Sequence, residues 1–243
     1  MPKASHKEIE RDPWVGLPDR RQRLRRATLD RETIVAAAVR IIDAEGADAL
    51  SMRRLAVELG SGATSIYRHV RDKDELINLA FDEVTGEIEL PERGTGWEHA
   101  LVAAARGLRD LFHRHRNFVT VIGRRSALGP HSLEIIERLV GILRESGLAD
   151  RAAYQAVSAV IHYAVGFTIL EIIPGLGGPS GATPEYRLLL NRYLDALPAD
   201  AYPNSLAVAP LMIGKDDEDF DYGVHAIVAG IRALELLDTT RSR

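Results

Sequence analysis

The stretch from Ser51 to Val70, SMRRLAVELGSGATSIYRHV, constrains this chain most. Ser51 is suited to an N-cap, because its hydroxyl can accept from a free backbone N–H of the first turn. Leu55, Ala56 and Leu59 then recur at helical spacing and give one apolar face. Gly60 and Gly62 bracket Ser61, and glycine takes the left-handed backbone that a sharp helix exit needs. A second helix is expected from about Ala63 to His69. It keeps only Ile66 and Val70 for burial, while Thr64, Ser65, Tyr67, Arg68 and His69 point hydrogen-bonding groups outward. Two short helices with these faces fit either a solvated helical hairpin or a helix-turn-helix, whose second helix offers side chains to base edges and phosphates in a major groove.

The flanking sequence supplies a frame for such a unit. A helix is expected over Arg31 to Glu45, with Asp30 as N-cap, Ile34, Ala38, Ile41 and Ile42 as its buried stripe, and Gly46 at its end. Asp72, with Glu75 three residues on, has the spacing of a capping box for a fourth helix. Leu76, Leu79, Ala80 and Val84 give that helix an inner face, and Pro91 and Gly94 break it. Residues 1–28 read as an irregular arm interrupted by Pro2, Pro13 and Pro18. Five arginines fall within residues 20–26, a charge density that suits either a solvated tail or an arm for nucleic acid.

The rest is again helical in pattern. Thr95 and Glu98 have capping spacing and open a helix to about His113. A short helix is expected from Arg116 to Ile122. Gly129 and Pro130 open another, from His131 to Ser146, closed by Gly147. A long helix capped by Asp150 runs to Ile173, and Gly175, Gly177, Gly178 and Gly181 make a loop after Pro174. Thr183-Pro184-Glu185 starts a helix to about Ala196, residues 198–216 hold three prolines and little pattern, and Asp217 to Leu237 is a final helix. The fold class is all-α: an N-terminal three-helix helix-turn-helix unit, then a larger C-terminal helical bundle. The expected boundaries are 1–28 for the arm, 29–75 for the helix-turn-helix unit, 73–89 for a linking helix, and 90–243 for the second part.

Composition narrows the function classes. The chain has 243 residues, 46% of them hydrophobic and 27% charged, enough to bury a sizeable core. There is no cysteine, which excludes disulfides, thiolate metal sites and cysteine nucleophiles and leads us to expect a cytoplasmic protein. The N-terminus carries no apolar core of a signal peptide. The most apolar stretch, Ala156 to Leu170, contains Ser158, His162 and Thr168 and reads as too short and polar to span a bilayer, so no membrane partner is expected. Net charge is −4 and uneven: fifteen Lys/Arg against thirteen Asp/Glu in residues 1–75 give +2, and sixteen against twenty-two in the rest give −6. The basic excess thus sits beside the helix-turn-helix, where it favours nucleic acid. No His-Glu-x-x-His, phosphate loop or nucleophile elbow is present, and His113 and His115, two apart, point to different helix faces. Three readings follow: a ligand-responsive DNA-binding regulator, with a DNA-binding dimer without a ligand and a helical metal-dependent enzyme as its alternatives.

With four helices in place, the N-terminal part resembles the TetR family of bacterial transcriptional repressors. The resemblance is carried by Ile34-Val35-Ala36-Ala37-Ala38, Glu45 through Ala56, Leu59-Gly60, Ser65 through Val70, and Asp72 through Leu76. The second part resembles the ligand-binding domain of the tetracycline-repressor subgroup, through Ser158 to Tyr163, Gly166 and Leu170-Glu171. The resemblance implies a homodimer formed by the helices at about Arg151–Ile173 and Asp217–Leu237, palindromic double-stranded operator DNA, and release by a small-molecule inducer. It implies DNA contacts from Arg53, Ala63, Thr64, Ser65, Tyr67, Arg68, His69 and Lys73. Where subgroup members often carry glutamine, this chain has Ala63, which offers only a methyl to a thymine. Antibiotic-binding members hold a magnesium–drug chelate with a His and a Glu; Glu171 matches the glutamate, but Val121 stands in the place of the His. No metal or other cofactor is therefore expected, and the inducer is expected to be a small, largely apolar molecule. The expected pocket residues are Phe112, Phe118, Ile122, Arg125, His162, Tyr163, Phe167 and Glu171.

Overall fold

The computed structural model describes residues 29–92, 94–122, 129–173, 184–212 and 217–241. The Arg-rich arm, Arg125 and the glycine-rich loop after Pro174 lie outside the described residues. Among the described residues the chain has helices and no strand.

Helix α1 spans Arg31–Glu45, and the Asp30 carboxylate accepts from the Thr33 N–H at 2.7 Å. Those hydrogen bonds hold the Asp30 carboxyl below its ordinary range. Helix α2, Met52–Glu58, is capped by the Ser51 hydroxyl, which accepts from the Arg54 N–H at 3.1 Å. Gly60, at φ +56°, takes the left-handed turn between α2 and α3. Gly62 does not share this role; it is extended and serves as the N-cap of α3. The α-helical part of α3 is only Ala63–Ile66, and residues 67–69 continue as a turn, so the second helix of the pair is shorter than expected.

Helix α4, Lys73–Thr85, is the strut. Asp72 caps it by accepting from the Glu75 N–H at 2.7 Å. Glu75 reaches back, but to the Arg71 N–H at 2.7 Å, one residue before the cap expected to receive it. The strut ends before the expected Glu89. Helix α5 spans Trp97–Arg114; its N-cap is Gly96 with no side-chain cap, so Thr95 does not perform the capping its spacing suggested. A 3-10 turn, Arg116–Thr120, replaces the expected short helix. Helix α6 is Pro130–Glu145 and helix α7 is Asp150–Ile172. Asp150 is the first helical residue of α7 and Ala149 its N-cap. Helix α8 is Pro184–Asp195 and α10 is Asp217–Arg241. Between them lies α9, Pro203–Met212, in a segment whose prolines hid it; Pro203 opens it, and Pro210 is accommodated within it.

Two apolar clusters hold these helices. One joins α1 to α4 and extends through Leu111, Phe112, Phe118, Val119 and Val121 to Ile172, so the N-terminal head shares its core with the base of the bundle. The other packs α5, α6, α7 and α10 around Leu101, Leu143, Val160, Phe220 and Val224. Helix α7 is long and apolar enough, by length and composition alone, to cross a membrane, contrary to the expectation from its sequence. Its faces are taken up differently here: α5, α6 and α10 all pack on it.

Candidate DNA interface and ligand cavity

The head presents one polar surface. Ile66, fully buried, and Val70 anchor α3 and the turn after it. That burial turns Thr64, Ser65, Tyr67, Arg68 and His69 outward, and all five are exposed. Tyr67 leaves 54% of its surface open, a large aromatic in water. Ala63 is half-buried at the start of α3. Lys73 is also half-buried, and its Nζ donates to the Asp48 carbonyl at 3.3 Å, leaving further ammonium hydrogens to offer.

The adjacent arginines of α2 divide their work. Arg54 is taken up inside the head, donating to Glu45 through Nε and Nη2 at 3.1 and 2.7 Å and to Glu58 through Nη1 at 3.0 Å. Its hydrogen bonds to those two carboxylates raise its pKa further. Arg53 is exposed and makes no ion pair with another described residue. Arg53, Tyr67, Arg68 and His69 together make a surface of donors able to meet phosphates and guanine edges.

An apolar cavity of about 280 Å³, open to solvent on one side, lies between the strut and the bundle. Each surrounding helix gives it one stripe: Phe81, Thr85 and Ile88 from α4 and its end, Ala104, Leu108 and Phe112 from α5, Ser132, Ile135, Ile136 and Leu139 from α6, and Ile161, His162 and Val165 from α7, with Ile122 beside them. Three polar groups interrupt the apolar wall. Thr85 Oγ1 donates to the Phe81 carbonyl at 2.7 Å and Ser132 Oγ to Asp82 Oδ1 at 3.4 Å, so both hydroxyls retain acceptor capacity toward the cavity. His162 is exposed and stands at the rim. A wider groove of about 700 Å³ runs along α6 to the start of α7, but Glu134, Glu137, Arg138, Arg144 and Glu145 line it, and it suits no apolar molecule.

Of the expected pocket residues, Phe112, Ile122 and His162 line the cavity. Phe118 stands behind its wall, fully buried, with its ring centroid 6.4 Å from that of Phe81. Tyr163, Phe167 and Glu171 lie on a different face of α7. Tyr163 and Phe167 pack on Phe220 of α10 with centroids 5.7 and 5.3 Å away. The Tyr163 hydroxyl donates to the Asp219 and Phe220 carbonyls, and burial pushes its pKa up. Glu171 accepts two bonds from Arg109, at 2.9 and 2.8 Å, and one contact from His113 Nε2 at 3.1 Å. Burial works to raise the Glu171 carboxyl, but the bonds from Arg109 and His113 outweigh it and hold it below its ordinary range. Arg109 also lies over the Phe220 ring, 4.8 Å from its centroid.

The strut and α6 are tied at one buried carboxylate. Asp82 accepts from the backbone N–H groups of His131 and Ser132 at 3.3 and 3.2 Å. It thereby caps α6, which has no side-chain cap of its own. Gly129 permits this approach, since a Cβ there would meet the Asp82 carboxylate at 2.2 Å.

Comparison with known proteins gives a consistent picture. Residues 34–80 match the bacterial regulatory proteins of the tetR family, and residues 90–234 match the tetracyclin repressor-like C-terminal domain. The HTH-type transcriptional repressor DrrR1 of Streptomyces coeruleorubidus is 34% identical over 212 residues, which cover 85% of this chain and 78% of that protein. Apo ActR from Streptomyces coelicolor superposes with a TM-score of 0.76 at 35% identity, covering 85% of this chain and 96% of its own. ActR in complex with actinorhodin gives 0.76 at 34% identity, with 85% and 97% covered.

Proposed function

As the chain belongs to the TetR family of bacterial transcription regulators, and is thus a DNA-binding regulator and not an enzyme, we propose that it is a homodimeric cytoplasmic repressor released from palindromic operator DNA by a small, largely apolar inducer. Two α3 helices, one per protomer, enter successive major grooves about 34 Å apart. Arg53 and Arg68 fork onto phosphate or guanine, Tyr67, His69 and Lys73 hold phosphates, and Thr64, Ser65 and Ala63 lie close to base edges. The dimer forms through α7 and α10, whose exposed Tyr154, Tyr222 and Leu234 support this reading.

The observation that carries the ligand reading is that the strut bearing the DNA-facing head also forms a wall of the cavity, through Phe81, Thr85 and Ile88. A ligand that fits one strut position better than another shifts the spacing of the two heads by its differential affinity. At about 280 Å³ the cavity sits at the lower edge of ordinary ligand sites, roughly 300–1,000 Å³. It therefore selects a compact molecule with apolar faces and one or two hydroxyl donors for Thr85 and Ser132. That ActR is solved with actinorhodin supports a small-molecule response here.

The test is a gel shift on DNA flanking the gene, with a panel of aromatic and aliphatic natural products, on the wild type and on Ala104→Phe, which fills the cavity. The reading expects a compound that releases the wild type and leaves the variant bound. Equal release of both would place the ligand elsewhere.

A further inference from the structure

His115 lies where the DNA-facing head meets the bundle. It follows α5 and precedes the 3-10 turn, and its side chain is only 12% exposed. Its Nδ1 lies 3.0 and 2.9 Å from the two carboxylate oxygens of Asp43, on α1. Its Nε2 lies 3.2 and 3.1 Å from those of Glu87, just past the end of the strut. The same turn is pinned to α1 by Asn117, whose amide donates to the Ile42 and Asp43 carbonyls at 3.0 and 2.9 Å. Phe118 packs against the imidazole at a right angle.

An ionised carboxylate only accepts, and a neutral imidazole has one donor nitrogen and one bare acceptor. A neutral ring here would aim a lone pair at one of the two carboxylates. Only the doubly protonated ring donates to both. Charge counting agrees. Asp43 and Glu87 contribute two negative charges, and Arg114 of α5, bonded to Glu87 at 3.3 Å, contributes one positive. The imidazolium brings the group to neutrality. Beyond it, Glu89, Arg106 and Asp110 line the adjoining groove, and Arg106 is held by Asp221. The two carboxylates occupy opposite edges of the ring, so they do not converge on a cation.

We propose that His115 is a proton-gated latch that fixes the DNA-facing head to the bundle and so makes operator affinity depend on pH. Protonated, it ties α1 and the end of the strut to the core. Deprotonated, it releases one carboxylate, and the head gains freedom that must be lost again on DNA. Protonation closes the latch and loss of the proton opens it, so affinity falls as pH rises. This goes beyond regulation by a ligand, since neither the cavity nor an inducer takes part.

The test uses the full-length protein and a fluorescein-labelled duplex that the protein itself selects from a random library. Affinity is measured by anisotropy at constant ionic strength between about pH 5.5 and about pH 8. His69 and the other histidines are common to wild type and His115→Gln, so only the difference in slope reports the latch. Wild-type affinity should fall at least about fivefold more than that of the variant. Asp43→Asn, whose amide can meet a neutral ring, should keep its low-pH affinity across the range. Parallel slopes for wild type and His115→Gln would mean that the ring is a structural contact only and would overturn the proposal. Independently of DNA, nitrogen NMR of the wild-type imidazole should show both ring nitrogens protonated at the acid end. A bare nitrogen there would overturn it equally.

Discussion

Replacing Asp82 by alanine should destabilise the protein by about 2 kcal/mol. The carboxylate is the cap of α6, supplied from another helix, and its loss leaves the His131 and Ser132 N–H groups without their acceptor. Losing an N-cap of this kind costs about 1–2 kcal/mol. Removing a negative charge from a helix N-terminus adds about 0.5–1 kcal/mol. Relief of the desolvation of a carboxylate in a residue only 9% exposed takes some of this back. For a chain of this size about 2 kcal/mol corresponds to a fall in Tm of about 4–8 °C. The assay is calorimetry at one fixed protein concentration, because any self-association makes Tm concentration-dependent. Asp82→Asn keeps one acceptor and should lose about half as much. Gly129→Ala adds a decisive cross-check: its Cβ collides with Asp82 in the wild type, but the collision disappears in the Asp82→Ala background. The two changes should therefore be far from additive. A Tm within about 1 °C of wild type for Asp82→Ala, or simple additivity with Gly129→Ala, would refute the capping account.

Three other outcomes are expected. Gly223→Ala should destabilise by about 1–3 kcal/mol, because its Cβ would lie 2.0 Å from the Tyr163 hydroxyl oxygen; Tyr163→Phe should rescue only partly, since the ring carbon beneath is itself at 2.3 Å. Glu171, whose carboxyl is held low when folded, contributes stability that is full above the ordinary carboxylate range and lost as pH falls through its folded value, so Glu171→Gln should flatten the acid limb of a stability–pH profile. Arg53→Ala should weaken operator binding and reduce the salt slope by about 1, whereas Arg54→Ala should act on thermal stability through Glu45 and Glu58.

The head was largely legible in the sequence because its signals are local. Ser51 and Asp72 cap the helices they precede, and Ile66 faces inward. The cavity was less legible because it is a property of four faces at once. Phe81, Thr85 and Ile88 form a readable helical stripe, as do Ala104, Leu108 and Phe112, but nothing local says that the two stripes face each other across a gap. On α7 the expected residues mixed two faces. His162 turns to the cavity beside Ile161 and Val165, while Tyr163, Phe167 and Glu171, four apart, turn to α5 and α10. Helix α9 was missed because Pro203 and Pro210 read as breakers, although one opens the helix. The His115 group had no sequence signal, since its partners are 72 and 28 residues away.

The most direct test of the account is the salt-dependent affinity of wild type and of the double variant Tyr67→Ala, Arg68→Ala for one selected duplex, with oligomeric state followed in parallel. The account predicts that the double variant loses specific binding and much of the salt slope while its oligomeric state is unchanged. Undiminished, equally salt-sensitive binding by the double variant would show that the outward face of α3 is not what reads the DNA.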